Sequence, residues 1–91
     1  MGKRITTHSR SFDYFFVKPS GKSSESVHRA AKKLIGISRV REVSITEGDY
    51  GFVVKAEQAY DDGNLTSGEI VRAIGGGSSK RAICHCRYVK G

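Results

Sequence analysis

The run Phe12-Asp13-Tyr14-Phe15-Phe16-Val17 constrains the fold more than any other stretch. In an extended chain successive side chains alternate, so Phe12, Tyr14 and Phe16 share one face and Phe15 and Val17 the other. A strand that is apolar on both faces has to be covered on both, which places it inside a sheet rather than at its edge. Lys18-Pro19-Ser20-Gly21 ends it, because Pro19 has no amide to give to a ladder and Gly21 permits a turn. The residues before it, 1–11, are polar, basic and aperiodic. They are expected to form a flexible arm, leaving 12–91 as a single domain.

The segment from Val40 to Glu57 predicts a second organising unit, a hairpin. Val40, Val43 and Ile45 precede the break, and Phe52, Val53 and Val54 follow it. Glu47-Gly48-Asp49 supplies the turn chemistry between strands expected at Val40–Thr46 and Tyr50–Glu57. Between the first strand and this hairpin, Val27, Ala30, Ala31 and Leu34 fall at helical spacing. The helix they predict runs from about Ser24 to Ile35. Ser23 or Ser24 caps it, Glu25 sits in the first turn, and Gly36 stops it.

A second, short helix starts at Thr66. Thr66 and Glu69 have the capping-box spacing, and Leu65 and Ile70 stand where a hydrophobic staple would put them. Gly75-Gly76-Gly77-Ser78-Ser79 is expected to be a flexible connector. The last strand is expected over Arg81–Val89, with Ala82, Cys84, Cys86 and Tyr88 on one face and Ile83, His85, Arg87 and Val89 on the other.

The resulting order is β-α-β-β-α-β, an α+β ferredoxin-like arrangement: a four-stranded antiparallel sheet with two helices on one face. The two helices leave the other sheet face open, although the first strand carries Phe12, Tyr14 and Phe16 on one side and Phe15 on the other. Either a second copy packs there, or nucleic-acid bases stack on exposed rings.

Composition bears on that choice. The chain has 91 residues, a hydrophobic fraction of 37% and 11 glycines, which leaves little burial to spare and favours self-association. Sixteen Lys and Arg against nine Asp and Glu give a net charge of +7, an argument for attraction to polyanions. The cations cluster at Lys3, Arg4 and Arg10, at His28-Arg29 and Lys32-Lys33, and at Lys80-Arg81 and Arg87. They make a basic surface suited to nucleic acid, or simply a solvated one. No apolar run reaches the length of a membrane span, and no secretion signal follows the basic start, so a cytoplasmic protein without membrane contact is expected.

From Ile37 and Val40, through Glu42-Val43 and Gly48-Asp49-Tyr50, to Val53-Val54-Lys55, the chain resembles the effector-binding and oligomerisation (RAM) domain of the Lrp/AsnC family. The resemblance extends over about Ser11 to Lys90 through the element order. The family's pattern continues Gly-Asp-Tyr with a second Asp, where Gly51 stands here. Its Thr-x-Thr on the last strand is Cys84-His85-Cys86. No helix-turn-helix fits before Phe12, so the likeness is to a stand-alone member. It implies a non-catalytic sensing and oligomerisation module: a homodimer or higher homo-oligomer, an amino-acid-like effector between subunits, and transcription regulated through a partner. Gly48, Asp49 and Tyr50 match the motif and are the effector-binding candidates. A turn amide and a carboxylate suit the two ends of a zwitterion. The alternative is that Gly48 and Asp49 only form the turn.

Tyr50-Gly51-Phe52-Val53 also resembles the middle of the third-strand motif of the RRM fold, which has the same element order. On an unbroken strand Tyr50 and Phe52 share a face, the geometry for stacking the bases of single-stranded RNA. Tyr50, Phe52, Phe15, His85 and Arg87 are accordingly candidates either for a dimer interface or for RNA stacking. Ordinary core positions are the competing account.

Other chemistry has less behind it. Cys84, His85 and Cys86 on a strand point alternately to two sides and cannot converge on one ion, so no metal and no cofactor is expected. Two buried, reduced cysteines are the simpler reading. His85 on an interface would make assembly pH-sensitive. Gly75 to Lys80 follows a helix instead of opening one, unlike a phosphate loop. Asp61-Asp62 and Glu69 lack a partner cluster, so acid–base catalysis is not expected.

Overall fold

The structure is a computed structural model that describes residues 5–9, 12–21, 23–48, 50–58, 63–84 and 86–90. In chain order its elements are β1 (Ile5–Ser9), β2 (Phe12–Pro19), α1 (Ser24–Ile35), β3 (Val40–Ile45), β4 (Phe52–Glu57), α2 (Ser67–Ile74), β5 (Gly77–Ile83) and β6 (Cys86–Lys90). Four strands form an antiparallel sheet in the order β3-β4-β2-β5, and β1 pairs with β6 in a separate two-stranded ribbon. Within 12–83 this is the ferredoxin-like βαββαβ arrangement, with the doubly apolar β2 in the interior as its sequence requires.

Both helices are set by their caps. The Ser23 hydroxyl accepts from the Ser26 amide at 3.1 Å, and Glu25 and Lys32-Lys33 lie at the helix ends where the dipole favours them. Gly36 ends α1 with φ −76°, a right-handed cap in which its glycine freedom is not used. Thr66 caps α2, accepting from the Glu69 amide at 3.1 Å, while Leu65 and Ile70 are both buried. At the other end Gly75 adopts φ 78°, and Gly76 donates to the Val71 carbonyl at 3.1 Å, closing the helix in a left-handed turn.

The core lies between the sheet and the helices. Phe15 and Val17 of β2 and Phe52, Val54 and Ala56 of β4 meet Ala30 and Leu34 of α1 and Ile70 of α2. Asp13 is buried among them at 2% exposure, and its charge is met on both oxygens. Gln58 Nε2 donates to Oδ1 at 2.7 Å and Arg81 Nε donates to Oδ2 at 2.7 Å, forming an ion pair. The same Gln58 amide reaches the Phe12 carbonyl at 3.1 Å and so ties the end of β4 to the start of β2.

Four expectations are corrected here. The stretch 1–11, read as an aperiodic arm, contains β1, whose backbone pairs Ile5 with Lys90 through Ser9 with Cys86. Periodicity could not show it, because a two-stranded ribbon needs no buried face to define its ladder. The final strand is two strands: β5 starts at Gly77 and stops at Ile83. Gly77 sits opposite Pro19 with φ 109°, and a Cβ there would run into the Lys18 carbonyl oxygen. The glycine run is therefore the close-approach start of a strand, not a connector. The break after Ile83 also ends the assumed alternation, so Cys84 is half-buried and Cys86 exposed, where two buried cysteines were expected. Among the described residues, no helix is long and apolar enough to cross a membrane.

Candidate nucleic-acid interface

Burying Asp13, Phe15 and Val17 beneath the helices turns Phe12, Tyr14 and Phe16 to the opposite face of the sheet. The ladder with β4 puts Lys55 opposite Tyr14 and Val53 opposite Phe16. The ladder with β5 puts Ala82 and Lys80 on their other flank, and Lys18 ends the column. The three rings are half-buried, while Lys18 and Lys80 are exposed.

Both ends of the ring column carry further groups. At the hairpin end the Tyr50 ring lies 5.5 Å from Phe16, tilted by 49°, and Lys18 Nζ stands 5.2 Å over Tyr50. At the other end Phe12 has Lys55 Nζ at 4.3 Å and the Arg87 guanidinium at 4.9 Å. Four rings in line, flanked by four cations, form one amphipathic surface. Such ring–cation contacts contribute about 0.5–1 kcal/mol each at exposed sites, so they fix side-chain positions more than they hold the fold.

Among the described residues, the acids on this face of the strands are Glu42, opposite Lys55, and Glu57, opposite Phe12. Glu57 is held by Arg41, whose Nε and Nη2 each donate at 2.8 Å to one of its oxygens. That pairing keeps the Glu57 carboxyl below, and the Arg41 guanidinium above, their ordinary pKa. Arg41 reaches it because the β3–β4 register shifts between Val40 and Glu42.

The residues singled out from sequence separate on this framework. Gly48 is exposed with φ 105°, as a turn glycine must be. Tyr50 sits on the open side, its carbonyl accepting from the Thr46 hydroxyl at 2.6 Å. Asp49 and His85 lie outside the described residues. Phe52 and Phe15 are corrected: both are fully buried under the helices and can neither stack a base nor meet a second copy. Tyr50 and Phe52 part company because Gly51 is a bend, its amide donating to the Val17 carbonyl at 2.9 Å. The two-residue rule holds only within a strand. A Cβ at residue 51 would lie 2.7 Å from Pro19 Cδ, so the Asp of the Lrp/AsnC pattern does not fit here without a shift. Arg87 remains at the interface, on Phe12.

Sequence reasoning missed Lys18, Lys55 and Lys80 as members of one surface, and passed over Phe12, Tyr14 and Phe16 as its platform. The alternation of β2 already separated those rings from Phe15 and Val17. What it left open was which side the helices take.

Two clefts, of about 260 Å³ beside Ile37, Leu65, Glu69, Arg72 and Ala73 and about 180 Å³ beside Ser20, Ser26, Arg29 and Lys33, belong to the helical layer, and neither is lined by Gly48 or Tyr50. Among the described residues, no three His, Cys, Asp or Glu side chains converge as metal ligands.

Fold and face together define a ferredoxin-like α+β domain with an aromatic, basic open sheet. No protein-family model matches the chain. Over 67 residues, 74% of its length, it is 37% identical to the type II methyltransferase M.AgeI of Thalassovita gelatinovora, and it spans only 15% of that protein. The crystal structure of PH0061 is similar with a TM-score of 0.64 at 14% sequence identity, over 84% of this chain and 52% of that one. A likeness at that identity speaks for the fold alone.

Proposed function

We propose that this domain is a non-catalytic module that binds single-stranded nucleic acid, with RNA the first candidate, on its open sheet face. Bases stack on Tyr14, Phe16 and Tyr50, and Lys18, Lys55 and Lys80 meet the phosphates. The observation that carries this reading is the row of Phe12, Tyr14 and Phe16 on one sheet face, with Tyr50 against Phe16 and with Lys55 and Lys80 on its two flanks. Alternate residues of a strand stand about 6.6 Å apart. That is roughly twice the ~3.4 Å rise per nucleotide of a helical strand, so the face suits an extended strand with splayed bases rather than a duplex. The net charge of +7 supports the same class of partner.

The competing reading is a homodimer or larger homo-oligomer packed through this face, with an amino-acid-like effector at Gly48, Asp49 and Tyr50 and a regulatory role in transcription. Half-buried Phe12, Tyr14 and Phe16 favour it. Charge opposes it: packing two copies through this face would put Lys18, Lys55 and Lys80 of both into one interface, where Glu57 is already taken by Arg41 and Glu42 is the acid left among the described residues.

Fluorescence anisotropy with labelled oligouridine and oligothymidine at fixed salt tests the choice. Stacking is worth about 1–3 kcal/mol per base, so Tyr14→Ala and Tyr50→Ala should each weaken binding by that much. If both bind as the unaltered protein does and affinity follows salt alone, attraction is generic and the stacking reading is wrong. Light scattering that shows a dimer stable to dilution, with no oligonucleotide bound, would hand the face to self-association.

A further inference from the structure

The Phe12 end of the open face holds two cations on one ring, Lys55 at 4.3 Å and Arg87 at 4.9 Å. They come from different parts of the fold: Lys55 from the sheet, Arg87 from the ribbon strand β6. Like charges gathered on one phenyl ring repel each other, and the ring quadrupole offsets only part of that cost. The carboxylate in register with Phe12 is Glu57, and Arg41 occupies both its oxygens. Glu42, in register with Lys55, makes no salt bridge to it. Arg87 Nε is moreover buried without a hydrogen-bond partner among the described residues. An unpaired buried donor on a charged group is costly, and marks a place where an acceptor belongs.

We infer that Lys55 and Arg87 form a phosphate clamp across Phe12. The ribbon β1–β6 delivers the arginine, and the phosphate oxygens answer both charges and the guanidinium donors. The inference rests on the reading above only in the identity of the phosphate, which there belongs to the backbone of the bound strand. Phe12 is then a spacer that holds the clamp open, while base stacking stays with Tyr14, Phe16 and Tyr50.

The test follows the arginine Nε–Hε cross-peaks in ¹H–¹⁵N spectra of the whole chain, titrated first with inorganic phosphate against chloride at equal ionic strength. The Arg87 signal should shift saturably and more than those of Arg29 and Arg72, and Lys55→Gln should reduce that shift. An Arg87 signal that moves no more than the surface arginines, or that moves equally in Lys55→Gln, overturns the clamp. The second arm uses an oligonucleotide. Arg87→Gln should weaken binding about tenfold and lower the salt slope by about 1, with the preference among bases unchanged. A saturable phosphate shift without oligonucleotide binding keeps the clamp and removes the nucleic-acid reading. Oligonucleotide binding whose salt slope is untouched by Arg87→Gln does the opposite.

Discussion

The two faces of the sheet are built from the same strands and both carry aromatic rings, yet they are different materials. Phe15 and Phe52 are fully buried against α1 and α2, while Phe12, Tyr14 and Phe16, one residue out of phase with Phe15, are half-buried among lysines. On the covered face the buried carboxylate Asp13 is fully matched by Gln58 and Arg81, while the Ser79 hydroxyl, opposite Val17, has no partner among the described residues. Among the described residues of the open face cations outnumber available acids, and Arg87 Nε has no partner. A face whose rings and buried charge are met within the chain serves stability. A face with unspent rings and charges serves a partner.

The sharpest way to break this contrast is to truncate equivalent rings on the two sides. Phe15→Ala should cost about 3–5 kcal/mol of folding stability in urea denaturation, through lost burial and the cavity left behind. Tyr14→Ala should cost less than half of that while weakening oligonucleotide binding by about 1–3 kcal/mol. Equal stability losses at the two positions would mean that the open face is also core. Asp13→Ala should destabilise by about 3 kcal/mol or more, since it strands Arg81 and Gln58 beside the core, and melting of the variant measures it.

Gly77→Ala follows, with an expected loss above about 1 kcal/mol, because the residue needs both its positive φ and the close pass by Lys18. A neutral result would show that β5 does not begin where it meets Pro19. The smallest effect belongs to the Arg41–Glu57 pair, which is exposed. Its Glu57 carboxyl is held below its ordinary pKa, so any stabilisation is present above the unfolded-state carboxylate range and fades as pH falls through the folded value. Glu57→Gln should flatten that acid limb slightly and leave neutral-pH stability within the range of surface pairs, fading further in high salt.

Several of these features are legible in the chain itself. Local chemistry determined both helices, because caps at Ser23 and Thr66 and the spacing of Val27, Ala30, Ala31 and Leu34 act within a few residues. The double apolar character of 12–17 determined that β2 is internal, and the turn residues around Gly48 determined the hairpin. With those elements the βαββαβ order followed.

Contacts between distant residues decided the rest. Gly51 bends against Pro19, and so sends Tyr50 and Phe52 to opposite faces although their spacing in sequence suggests one. The approach of Gly77 to Lys18 starts β5 inside a glycine run, and the pairing of 5–9, a stretch with no periodic signal, with 86–90 makes a separate ribbon. Alternation sorts the side chains of a strand into two sets, and a sequence supplies that sorting. Which set meets the helices and which stays open depends on how the helices dock, and docking is fixed only when residues far apart in the chain come together.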